Sequence, residues 1–189
     1  MPVISITLLP GYDAATQDRL LTRVAQATRS VIAAPKAGTT VFVQEVSAYQ
    51  RDGRTFSGGG PARPVASERV RAFLQHMQAR DLAAAQSLLA PGFTMHFPGA
   101  APMHRLDQLL AWASPRYARV GKRYERFDEC WGDEATVVYC FGTLHGEWHD
   151  GAAFEGIRFI DRFEVVDGAL TRQDVWNDLA EVRASGETT

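Results

Sequence analysis

Two residues in this sequence have types and neighbours that could do proton chemistry. The first is Pro2, which follows Met1. Bacterial methionine removal is efficient before a small residue, and removal would leave Pro2 as a free secondary amine. An α-amino group titrates at about 7.7–8.0, and burial in an apolar pocket lowers that because desolvation disfavours the charged form. Such an amine works as a general base near neutral pH, and it can also attack a carbonyl to form an iminium ion. The second is Asp161. Side chains alternate across a sheet, so in Ile157–Val165 one face carries Ile157, Phe159, Asp161, Phe163 and Val165. An acid between two phenylalanines is costly unless it is paired or functional. It would suit proton transfer in a pocket, or it would pair with an arginine or a tryptophan N–H for structural reasons alone.

Other candidates surround these two. Arg51 and Arg54 flank the tight-turn pair Asp52-Gly53. They would supply positive charge to a site, from the same subunit or a neighbour, or remain solvated turn residues. His145 stands on a segment apolar on both faces and would line a pocket or hydrogen-bond in the core. Trp176 is placed on the pocket wall, while most of the other large aromatics read as core or subunit interface. His96 has the opposite parity to Phe93, Met95 and Phe97, which places it on a surface. His76, His104 and His149 read as surface residues. Cys130 and Cys140 read as two buried thiols. No Cys/His cluster has metal-ligand spacing, and no metal or cofactor is expected.

The elements that must position these residues fall into two programmes. Pro2–Leu9 alternates as a strand and meets the turn Pro10-Gly11. Asp13 offers a helix cap, and Leu20, Leu21, Val24, Ala27 and Val31 recur at helical spacing. Pro35 and Gly38 end that helix, and Thr39–Ser47 is rich in β-branched residues. Strand, helix and strand of these lengths predict a parallel βαβ unit with a right-handed crossover. A Gly/Pro-rich stretch from Ser57 to Pro64 reads as a linker. Domains are accordingly expected at 1–60 and 67–189, with a linker at 61–66. Ser67 would cap a helix, Asp81 would start a second one running to Leu89, and Leu106–Trp112 a third. A short strand is expected at Phe93–Phe97. Strands at about 123–131, 135–148, 154–166 and 169–177 would form an antiparallel meander. The fold class is α+β, with helices on one face of a curved sheet.

The first sixty residues resemble the 4-oxalocrotonate tautomerase family. The resemblance rests on Pro2-Val3-Ile4-Ser5-Ile6, the helix from Asp13, the Ala33-Ala34-Pro35 break, Val41-Phe42-Val43 and Gly58-Gly59-Gly60. It implies a catalytic N-terminal proline that shuttles a proton on an enol or carbonyl acid, and oligomers built from βαβ units. Tyr12 and Thr40 stand where the family carries its substrate-binding arginines, and Phe56 matches its apolar pocket residue. Tyr12, Arg51, Arg54 and Phe56 are therefore the substrate-binding candidates beside Pro2.

Residues 66–182 resemble the SnoaL-like branch of the nuclear transport factor 2 superfamily. Phe93-Thr94-Met95-His96-Phe97-Pro98-Gly99, Gly142-Thr143-Leu144-His145-Gly146 and Asp174-Val175-Trp176-Asn177-Asp178 carry this likeness. It implies a cone-shaped pocket over a curved sheet and pairing through the outer sheet face.

The net charge of −2 leaves no electrostatic footprint for nucleic acid or a membrane surface. No leader is read at the start, and the apolar runs are too short to span a bilayer. The expectation is a cytoplasmic homo-oligomer, a dimer or a trimer of dimers, acting on a small molecule. The leading expectation is a tautomerase using Pro2. The alternative makes the βαβ unit an oligomerisation module and gives binding or isomerase, dehydratase or cyclase chemistry to the C-terminal pocket, with Asp161.

Overall fold

The computed structural model describes residues 1–186. The chain divides into two compact units, Met1–Ala62 and a second from Arg63 onward.

The first unit begins with strand β1 (Val3–Leu8), helix α1 (Ala14–Val31) and strand β2 (Thr40–Glu45). Asp13 caps α1 by accepting from the Thr16 N–H at 2.8 Å. β1 and β2 pair in parallel, with Val3 beside Thr40 and Leu8 beside Glu45. A hairpin follows, β3 (Tyr49–Arg51) and β4 (Arg54–Phe56). Asp52 and Gly53 turn it at φ 50° and 75°, the left-handed geometry of a two-residue hairpin loop. Among the described side chains α1 buries none, because two strands offer a helix too little surface to cover.

The second unit holds helices α2 (Ala66–Gln78), α3 (Leu82–Gln86) and α4 (Leu106–Ala113). It also holds strands β5 (Leu89–His96), β6 (Arg119–Trp131), β7 (Thr136–Glu147), β8 (Ala153–Val166) and β9 (Ala169–Asn177), then helix α5 (Leu179–Gly186). The sheet order is β5-β9-β8-β7-β6. β6 to β9 form the expected antiparallel meander, but β5 joins its end in parallel to β9. Irregularities at Tyr124/Arg126, Leu144/Gly146 and Glu164/Val165 bend three of the strands, which is how bulges curve a sheet.

Local details depart from the sequence expectations. Val65, not Ser67, occupies the cap position of α2; the Ser67 N–H is instead held by Glu129 Oε1 at 2.8 Å. α3 stops at Gln86, because the Leu88 carbonyl accepts from the Leu170 N–H and Leu89 pairs with Leu170. Sheet pairing thus overrides helical spacing there, and β5 runs through Pro91-Gly92. Cys140 is buried as expected, but Cys130 is exposed near the end of the edge strand β6.

The core lies between α2, α3, α4 and one sheet face. Val70, Phe73 and Leu74 of α2 meet Val138 and Cys140 of β7 and Phe159 and Phe163 of β8. Phe73 and Phe163 meet edge to face, ring centroids 5.9 Å apart, the geometry aromatic pairs prefer.

Candidate functional site

Along β8 the burial alternates as the sequence parity requires. Ile157, Phe159, Asp161, Phe163 and Val165 are buried, while Ile160 on the other face is exposed. Asp161 is 0% exposed in the core face of the sheet. An isolated carboxylate there would be very costly, and the structure supplies its partner. Lys122 Nζ of β6 donates to Asp161 Oδ2. The same ammonium lies 4.4 Å from the centroid of the Phe159 ring, a cation–π distance. Gln173 of β9, 3% exposed, points its Nε2 at the same carboxylate oxygen from 3.5 Å. Asp161 Oδ1 and Gln173 Oε1 are buried without hydrogen-bond partners.

A cavity of about 170 Å³ opens beside this group. Its apolar wall comes from α2 (Phe73, Leu74, Met77), α4 (Leu109, Leu110) and Phe97, and its polar side from Lys122, Tyr124, Gln173, Gln78 and Arg80. Lys122 is 22% exposed through this opening, and Asp161 sits beneath the wall that Lys122 and Gln173 form. Burial, with the nearby Asp161 and Cys140 adding to it, pushes the Tyr124 phenol well above its ordinary range. Its hydroxyl therefore stays neutral and can donate a hydrogen bond. Burial, reinforced by Asp161, also pushes the Cys140 thiol up to about 12, so it remains a thiol and a packing residue.

Two candidates from the sequence lie elsewhere. His145 stands on the outer face of β7, alternating with buried Leu144 and Gly146, and its ring lies against Gly121 of β6. Trp176 pairs with Ile160 on the same outer face and is 53% exposed. Neither borders the Asp161 cavity, because both have the parity opposite to Asp161. His96 is likewise on the outer face, its Nδ1 3.0 Å from Asp174 Oδ1.

The residues proposed around Pro2 do not converge within one chain. Pro2 stands at the start of β1, where its carbonyl accepts from the Thr40 N–H at 3.1 Å. Tyr12, Arg51 and Phe56 border an open concavity of about 520 Å³ that includes Thr7, Leu8 and the Gly58–Gly60 backbone. That concavity is at the other end of β1, about 20 Å away along a six-residue strand. Arg54 is exposed on β4 and does not border it.

Lys122, Tyr124 and Gln173 were absent from the sequence candidates. A signal for the first two existed in the alternation Val120-Lys122-Tyr124 within a charged run, which marks a lysine facing inward. Among the described residues no group of three or more His, Cys, Asp or Glu could hold a metal ion. No helix is long and apolar enough to cross a membrane among the residues described.

A family model described as a SnoaL-like domain matches residues 70–173. Solved structures share the fold. A nuclear transport factor 2-like protein of unknown function from Burkholderia pseudomallei is 20% identical, with 62% of this chain and 93% of that chain covered and a TM-score of 0.52. TerC, co-crystallised with polyporic acid, is 16% identical, with 63% and 95% covered and a TM-score of 0.53. A nuclear transport factor 2-like protein from Burkholderia thailandensis is 18% identical, with 64% and 96% covered and a TM-score of 0.52. Among curated proteins none matches the chain. The family match begins at residue 70, so it lends nothing to the tautomerase likeness of the first sixty residues.

Proposed function

The chain belongs to the SnoaL-like domain family, and we propose that its C-terminal cavity is the active site of an isomerase- or cyclase-type enzyme. The substrate is a hydrophobic molecule of about one ring, and the chemistry is proton transfer at the Asp161–Lys122 pair. One observation carries this reading: a fully buried carboxylate, held by a lysine that faces an apolar cavity, keeps one oxygen unpartnered. Structural ion pairs have no need of a cavity, and buried polar groups are normally satisfied.

The chemistry balances within the substrate. A proton leaves a carbon next to a carbonyl for the Asp161 carboxylate, once a shift of the Lys122 and Gln173 side chains that cover it opens it to the cavity, and the electron pair moves onto the carbonyl oxygen. Lys122 Nζ and the neutral Tyr124 hydroxyl, both on the polar side of the cavity, are the donors for that developing oxyanion. The proton then returns to another atom of the same framework.

The test is solvent hydrogen exchange into cyclohexane-1,2-dione, followed by NMR in deuterated buffer. Asp161→Asn keeps the shape and the hydrogen bond to Lys122 but removes the base. Exchange is expected to fall by about 10²–10⁴-fold, the usual contribution of a positioned acid–base group. An unchanged rate in a folded variant refutes the assignment of Asp161.

A second reading keeps Pro2 as a base on an enol acid. Its support is that Pro2 stands at the very head of a parallel βαβ unit, half-buried and paired through its carbonyl. It requires loss of Met1, since a retained Met1 ties the proline nitrogen into a peptide bond. Intact-protein mass spectrometry decides the point: a mass that includes Met1 removes this reading.

A further inference from the structure

The polar side of the cavity has an asymmetry that defines its ligand. Two cationic side chains, Lys122 and Arg80, border it. Among the described residues, the carboxylate beside them is Asp161, which lies beneath the wall and is already bonded to Lys122. An ammonium has three N–H donors. Asp161 Oδ2 takes one, leaving donors for a group in the cavity. Gln173 presents the opposite need. Its Nε2 faces Asp161 Oδ2, which turns its Oε1 away as a buried acceptor with no partner. An ionised carboxylate can only accept, so of the two ends of the amide it is the N–H₂ that faces it.

Both Lys122 Nζ and Gln173 Nε2 reach the same oxygen of Asp161. The two side chains are therefore neighbours on the polar side of the cavity. The cavity of about 170 Å³ limits the rest of the ligand. An apolar cavity of about 150 Å³ takes a benzene, so there is room for one substituted ring.

We propose that the cavity selects a ring-sized ligand that carries an ionised oxygen beside a hydroxyl, such as an ortho-hydroxy acid or the enolate of a cyclic 1,2-diketone. Lys122 Nζ contacts the anionic oxygen, and Gln173 Oε1 accepts from the adjacent hydroxyl. Arg80, with no ion-pair partner among the described residues, adds positive potential. The inference rests on the reading of this cavity as a small-molecule site and names its substrate class.

The test is calorimetric titration of the full chain with salicylate and with its neutral counterpart, salicyl alcohol. Salicylate is expected to bind at least tenfold more tightly. The variant Lys122→Met/Asp161→Leu replaces both members of the buried pair with apolar groups and so avoids a stranded charge. It is expected to keep salicyl alcohol binding and lose the preference for the anion. Gln173→Leu is expected to weaken salicylate about tenfold while leaving benzoate unchanged, because only salicylate has the hydroxyl. Equal affinities for the two probes in the unaltered chain, or a preference that survives in the double variant, overturns the proposal while leaving the small-molecule site intact. A chain that binds neither probe overturns both.

Discussion

Lys122→Met lowers the unfolding free energy of the C-terminal unit by about 3–5 kcal/mol, the usual cost of leaving one member of a buried ion pair without its partner. Asp161 is 0% exposed and Lys122 only 22% in its side chain, so solvent does little to replace the lost partner. Gln173 offers only a long contact of 3.5 Å. Adding Asp161→Leu to Lys122→Met recovers most of the loss, because the desolvation of both charges disappears together with their attraction. Urea unfolding followed by tryptophan fluorescence reads this effect cleanly. The four tryptophans, at 112, 131, 148 and 176, all lie beyond Ala62, so the signal reports this unit alone. A single variant with the urea midpoint of the unaltered chain shows that the pair is solvated.

Phe163→Ala costs a similar amount, about 3–5 kcal/mol, for a different reason. Truncating a buried phenylalanine loses its transfer free energy and leaves a cavity that the surroundings fill only in part. Phe163 is 0% exposed and meets Phe73 of α2 edge to face, so it ties the helix layer to the sheet. The control is Ile160→Ala, three residues earlier on the same strand. Ile160 faces outward at 38% exposure, and its truncation is expected to cost well under half as much. The same urea titration compares them. Equal losses at the two positions would mean that β8 does not present alternate residues to the core.

That alternation was the most legible feature of the sequence. The parity of Ile157–Val165 is set by the pleat, so the sequence alone places Asp161 on the buried face. The partner was harder to see. Arg119–Arg126 is dense in charge, so the sequence predicts a strand only from about Arg123. In the fold β6 begins at Arg119, which puts Lys122 inside the strand and on the inward parity. His145 and Trp176 were misplaced for the converse reason. β7 has apolar residues at both parities, and Val137, Tyr139 and Phe141 cover an outer face that is only half-buried. Hydrophobicity alone does not say which of two apolar faces borders a cavity; the helix layer decides it. In the first unit the parallel βαβ order was readable from Asp13, the helical spacing and the β-branched run. What the sequence could not show is that β1 separates Pro2 from Arg51 and Phe56 within one chain.

The proposed proton chemistry belongs to the C-terminal cavity rather than to the head of the chain. Solvent hydrogen exchange into cyclohexane-1,2-dione, run side by side on the unaltered chain, Pro2→Ala and Asp161→Asn, tests it most directly. Pro2→Ala is expected to keep the full rate and Asp161→Asn to lose about 10²-fold or more. Loss of exchange in Pro2→Ala with an unchanged rate in Asp161→Asn would contradict it.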